Sequence, residues 1–192
     1  ALFPAHDLRA GYVRANPADA AAVAQAVFTV SGLAGTFDKP RYIQFTESLC
    51  AHERSKKTGC TRCLDVCPTG AITPNGNAVL ISAEICAGCG SCASVCPTGA
   101  ASYALPPAES LMRQLRTLLA VYNQAGGKNA TVLFHDEDHG TALIEALARF
   151  GEGLPAHVLP VRVNEITQIG FENIIAALGF GAEAVRVLAR AK

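Results

Sequence analysis

CTRCLDVCPTGAI, residues 60–72, returns almost letter for letter as CGSCASVCPTGAA, residues 89–101. All eight cysteines of the 192-residue chain fall between positions 50 and 96. Cys86, Cys89, Cys92 and Cys96, with Pro97 behind them, spell C-x2-C-x2-C-x3-C-P, the spacing that wraps a 4Fe-4S cubane. Three thiolates spaced by two residues curl the backbone around one cubane, whereas a residue held before proline is pushed into an extended conformation and points away. Cys67 and Cys96, each followed by proline, are therefore expected to serve the cluster of the opposite half.

These phrases resemble the bacterial two-cluster ferredoxins, over about Tyr42 to Leu105. The eighteen residues between Cys67 and Cys86 suit the pseudo-twofold layout of that family. The resemblance implies two 4Fe-4S clusters, one on Cys86, Cys89, Cys92 and Cys67, the other on Cys60, Cys63 and Cys96. One ligand departs from the pattern: sliding the second repeat onto the first by twenty-nine places sets Cys86 opposite Lys57, which cannot bind iron. Cys50, the cysteine left over, is expected to reach in across the loop AHERSKKTG. The alternatives are His52 as a nitrogen ligand, or a three-iron cluster lacking a fourth ligand.

Other uses of eight cysteines fit less well. Four disulfides would need a different spacing, and nothing else suggests a small secreted scaffold. Structural zinc sites share the C-x2-C unit, but come as separated pairs without the third cysteine and the C-x3-C-P tail. The residues between the thiols suit an anionic cluster, which needs backbone N–H donors at close range and little side-chain bulk. Gly59, Gly88, Gly90, Ser91 and Ala93 offer both, and Thr69-Gly70 and Thr98-Gly99 read as turns after the prolines. AITPNGNAVLIS, with its Asn-Gly between apolar residues, reads as a hairpin. Tyr42-Ile43-Gln44-Phe45 and Ala101-Ser102-Tyr103-Ala104 are expected to pair as strands, their aromatic rings serving as core.

Two flanks remain. Asn16 and Pro17 read as N-cap and first position of a helix running to a glycine stop, with Val23, Ala26, Val27 and Val30 on one face. After Pro106-Pro107 a second helix is expected over Ala108 to Gln124, with Leu111, Leu115, Leu118 and Tyr122 on one face. From Ala130 strands and helices alternate: strands at Thr131–Phe134, His157–Val163 and Ala184–Leu188, helices at Gly140–Phe150 and Ile169–Leu178, a parallel α/β unit. The expected fold is thus an α+β ferredoxin-type dicluster domain (41–106) between an N-terminal helical segment (1–40) and a helix plus α/β domain (107–192).

The loop HDEDHG follows the first strand of that unit, where open α/β sheets bind ligands. His135, Asp136, Glu137, Asp138 and His139 could hold a divalent metal, but acidic residues also favour a helix N-terminus, and the cap is the preferred reading. No G-x-G-x-x-G follows a strand and no Walker sequence occurs, so the sequence does not support a flavin or nicotinamide site.

Composition bounds the rest. Half the residues are hydrophobic and 17% charged, enough for a sizeable core. Net charge is zero and no long basic block occurs, which argues against nucleic acid as a partner. No apolar stretch reaches the length of a membrane span, no signal peptide is visible, and cluster assembly makes the cytoplasm the expected compartment. The start without methionine and the end soon after a strand lead to the expectation of a portion of a longer chain or complex.

The module order resembles the larger iron-sulfur subunits and polyferredoxin-like proteins that accompany bacterial formate dehydrogenases and heterodisulfide reductases. The expected function is electron transfer between redox protein partners, with no catalytic residue of its own. An oxidoreductase subunit whose α/β part binds a substrate or flavin is the alternative, and a cluster-based sensor a third. Arg54, Lys56, Lys57 and Arg62 surround one half only, so the cluster of Cys50, Cys60, Cys63 and Cys96 is expected to have the higher potential.

Overall fold

A computed structural model of the chain describes residues 13–36, 38–52 and 59–190. The chain divides after Asp38 into two units.

In the first unit, α1 spans Ala20–Ser31. Its N-cap is Asp19, whose carboxylate accepts from the N–H groups of Ala21 and Ala22, and not Asn16. Asn16 and Pro17 instead form a turn ahead of the helix, Asn16 taking the N–H of Ala18 on its side chain and that of Asp19 on its carbonyl. Asp19 stands immediately before the first helical residue, the place from which a side chain reaches the second and third N–H groups of the helix. None of the helix is buried among the described residues.

The second unit begins with β1 (Ile43–Phe45), α2 (Arg62–Val66), β2 (Ile72–Asn75), β3 (Ala78–Ile81), α3 (Ser91–Ser94) and β4 (Ala101–Tyr103). Strands β1 and β4 pair antiparallel, Ile43 opposite Tyr103 and Phe45 opposite Ala101. Strands β2 and β3 form the hairpin, but its two central residues are Gly76 and Asn77, because Asn75 still pairs with Ala78. Gly76 has φ 58°, the left-handed first position of a type II′ turn, which only glycine occupies freely. Alternation sends Ile43, Tyr103, Ile72 and Val79 inward onto the cysteines, and Cys92 itself belongs to this core.

The remainder is α4 (Ala108–Gln124), β5 (Thr131–His135), α5 (Ala142–Phe150), β6 (Val158–Arg162), α6 (Phe171–Gly179) and β7 (Ala184–Leu188). The three strands are parallel in the order β6-β5-β7. Right-handed crossovers in that order put α5 and α6 on opposite faces of the sheet. Leu111, Leu115 and Leu119 of α4, four residues apart, pack with Val132 and Phe134 of β5, Val161 of β6 and Ala177 of α6. Leu119 rather than Leu118 is the buried member of that stripe. Removing a fully buried leucine from such a core costs about 2–5 kcal/mol. On the other face α5 has no buried residue, and Leu143, Leu147 and Phe150 stay exposed.

One π-helical turn, Glu137–Thr141, precedes α5, so that helix starts at Ala142 and not at Gly140. Similarly, a short 3-10 turn at Ile166–Gln168 precedes α6. These two extra turns lie at the carboxyl ends of β5 and β6, and the second carries the chain back to the cysteines.

Candidate metal centre

The two cysteine phrases build the same local geometry twice. After Cys67 and Cys96 the chain turns at Gly70 (φ 65°) and Gly99 (φ 69°). Each turn folds backbone N–H groups over the preceding sulfur. Burial alone would raise the Cys67 thiol, but the Thr69 hydroxyl and the N–H groups of Thr69, Ala71 and Ile72 outweigh it and hold the pKa below the ordinary thiol value. Cys96 is likewise raised by burial and brought down further by the N–H groups of Ala101 and Thr98, the Thr98 hydroxyl and the N–H of Ala100. Ala101 N lies 3.4 Å from Cys96 Sγ, and Thr69 and Thr98 each put Oγ1 3.7 Å from the sulfur two residues back. Donors gathered on a sulfur favour the thiolate, which is the form that ligates a metal.

The structure brings Cys67, Cys86, Cys89 and Cys92 around one cavity, whose other walls include Ile43, Ile72, Ile81 and Gly90. Cys92 is the most enclosed of the eight: burial pushes its thiol up to about 12, and repulsion from Cys86, Cys89 and Cys63 adds to the rise. Cys63 is raised by burial first and then by Cys60, Cys50 and Cys96. Cys67 thus shares a cavity with three cysteines of the second repeat, while Cys63 of the first stands near Cys60, Cys50 and Cys96 and also near Cys92. Such thiols repel one another when ionised, and cations among them remove the repulsion. Among the described residues no three His, Cys, Asp or Glu side chains are gathered closely enough to hold one metal ion. Four thiols around an apolar cavity, with hydrogen-bond donors on the sulfurs, are a donor set that fits a polynuclear sulfide cluster.

Cys50 is brought to this site by backbone pairing. Gly59 N donates to His52 O at 2.6 Å and Cys60 N to Ala51 O at 3.1 Å, so the ends of the AHERSKKTG loop lie side by side. His52 is buried, and its Nδ1–H donates to the carbonyl of Cys60 at 2.9 Å. Arg54, Lys56 and Lys57 lie outside the described residues.

The half with Cys86, Cys89 and Cys92 has partners that spacing did not reveal. Tyr103, buried at 6% exposure, donates its hydroxyl to Gly88 O at 2.8 Å and accepts from Asn164 Nδ2 at 2.7 Å. Thr167 Oγ1 donates to Cys89 O at 2.5 Å. Gln168 lies so close that a Cβ placed on Gly90 would come within 2.5 Å of its Cβ. Gly88 is pressed in the same way by the ring of Tyr42. Both glycines are left-handed, φ 78° and 76°. Asn164, Thr167 and Gln168 belong to the connection between β6 and α6, more than sixty positions from their partners, where no local period could flag them.

Three side chains of HDEDHG, those of His135, Asp136 and Glu137, have structural partners. Asp136 caps the π-helical turn, accepting from His139 N at 2.9 Å and Gly140 N at 2.7 Å, and those bonds hold its carboxyl below the usual range. Glu137 pairs with Arg162 at 3.2 Å. His135 is buried, with Nδ1 donating to Asp136 O at 3.0 Å.

Residues 56–100 match the family model of the 4Fe-4S dicluster domain. The chain therefore carries a ferredoxin-type iron-sulfur domain. Such a domain binds 4Fe-4S clusters, transfers electrons through them and works with redox partners. The match takes in seven of the eight cysteines and omits Cys50. No curated protein and no solved structure matches the chain. Among the described residues no helix is long and apolar enough to cross a membrane.

Proposed function

We propose that the chain is a two-centre electron relay, with Cys67, Cys86, Cys89 and Cys92 holding one 4Fe-4S cluster and Cys50, Cys60, Cys63 and Cys96 the other. The observation that carries this reading is that Cys67 of the first repeat lines one cavity together with Cys86, Cys89 and Cys92 of the second. When bound, each cubane supplies one reversible electron. The protein's share is to hold eight thiolates in place, direct N–H groups at the sulfurs and keep water from the more buried side. Crossed ligands also bring the two halves together, which favours transfer between them.

An open groove of about 850 Å³ runs past Cys96 and is lined by Arg62, Asp65, Val66, Phe171 and Glu172. It gives a redox protein a route to the sulfur edge of the first cluster. A second reading, the iron-sulfur subunit of a larger oxidoreductase, is favoured by the apolar side chains left open on the α/β part, Phe150 at 83% and Phe171 at 75% exposure. An anaerobic redox titration tests the relay. Two reversible one-electron couples without a bound organic cofactor are expected. A stoichiometric flavin would transfer the chain to the oxidoreductase reading, and no reversible couple would end both.

A further inference from the structure

We propose that the connection between β6 and α6 is an outer clamp on the cluster of Cys67, Cys86, Cys89 and Cys92, with Thr167 as the positioning residue that raises its potential. The proposal rests on the ligand assignment above. Three contacts carry it: Thr167 Oγ1 to Cys89 O, Asn164 to the Tyr103 hydroxyl that itself donates to Gly88 O, and Gln168 seated against Gly90.

A trans peptide points its N–H opposite to its C=O. Holding the carbonyls of Gly88 and Cys89 toward outer donors therefore turns the N–H groups of Cys89 and Gly90 the other way. Cys89 and Gly90 both line the cavity of the four thiols, and the clamp requires those N–H groups to face the cluster. A hydroxyl donated to the carbonyl also polarises the peptide and strengthens its N–H as a donor. Reduction adds negative charge, which stronger N–H donors stabilise, and so the clamp favours the reduced form.

Among the described residues no hydrogen bond from the α/β part reaches the first half in this way. Its equivalent carbonyl, Cys60 O, twenty-nine positions before Cys89, accepts from His52, only eight positions away in the sequence. The α/β part thus holds one cluster directly, and a partner that shifts the β6–α6 connection would change the potential of that cluster alone.

The test is an anaerobic titration of the full chain, loaded with iron and sulfide, comparing wild type, Thr167→Val and Thr167→Ser and following each centre by electron paramagnetic resonance. Thr167→Val keeps the shape and removes the donor. It is expected to shift the oxidised-to-reduced ratio of one centre roughly fivefold toward oxidised, about 40 mV lower in potential. The other centre should stay put, and Thr167→Ser should restore the wild-type value. Unchanged potentials in Thr167→Val, or equal shifts of both centres, would overturn the clamp while leaving two loaded clusters intact. Wild type with fewer than two reducible centres would overturn the ligand assignment and the clamp with it.

Discussion

Laid over one another by a shift of twenty-nine residues, the two cysteine halves agree close to the sulfurs and disagree one layer out. Cys67 and Cys96 receive donors from matching positions, Thr69, Ala71 and Ile72 against Thr98, Ala100 and Ala101. Cys60 and Cys89 both have their carbonyls held from outside. The holder differs: a buried histidine eight positions away in one case, a threonine seventy-eight positions away in the other. Direct contact with the sulfurs constrains the inner layer in both halves. The outer layer only has to donate a hydrogen bond, so unrelated residues can fill it and connect each half to different surroundings.

The largest effect that could break this comparison is loss of a whole centre. Cys96→Ala should remove the cluster built on Cys60 and Cys63 and spare the one on Cys86, Cys89 and Cys92, while Cys67→Ala should do the reverse. Low-temperature spectra of the two variants decide it, and damage confined to the mutated repeat would mean uncrossed ligation.

Next come the glycines. Gly90→Ala meets Gln168 Cβ at 2.5 Å and its Cα at 2.8 Å at a φ of 76°, whereas Gly70→Ala, in the other half, has the strained φ but open space around it. Overpacking adds about 1–3 kcal/mol to a backbone cost of similar size. Urea unfolding should therefore show Gly90→Ala losing about twice as much stability as Gly70→Ala. Equal losses would mean that the α/β part does not press on the second half.

The cysteine spacing pointed to N–H donors on the sulfurs. Of Gly59, Gly88, Gly90, Ser91 and Ala93, however, only Ala93 acts on one, Cys92, among the described residues, and the donors on Cys67 and Cys96 come from the turns after the prolines. The strand pair of Ile43 and Tyr103, the hairpin and α4 were legible, since period and turn chemistry are local signals. The cap of α1 went to Asp19 instead of Asn16 because two Asx residues competed within one turn, and the first turn ahead of α5 is π rather than α, Thr141 N donating five residues back to Asp136 O. Asn164, Thr167 and Gln168 were illegible for a different reason. Their role comes from packing between distant segments, which leaves no mark on neighbouring residues.

A smaller effect is expected from Tyr103→Phe, which leaves Gly88 O and Asn164 Nδ2 without their shared partner at a cost of about 1–3 kcal/mol. The phenol offers a pH test as well. Burial pushes it up to about 12, and the Asn164 hydrogen bond only partly offsets this. A group whose folded value is raised contributes stability that is complete below its unfolded value, here near 10, and lost as pH climbs through the folded one. Stability that falls between about pH 10 and 12 in wild type, and not in Tyr103→Phe, is the expected result of unfolding measured across that range.

The smallest effect lies outside both halves. Asp136→Ala should cost about 1 kcal/mol by removing a cap, with both cluster potentials unchanged. The Asp136 carboxyl is lowered from 3.8 by the N–H of Gly140, so its contribution is present above that value and disappears as pH falls through the lower folded one. Wild type and variant should converge in stability toward strong acid. A difference that persists there would assign the effect to packing.

The central claim, two cubanes held by eight thiolates, is tested most directly by metal and sulfide analysis of protein purified without oxygen. About eight irons and eight acid-labile sulfides per chain are expected from two 4Fe-4S clusters. Two bound zincs with no labile sulfide would contradict it.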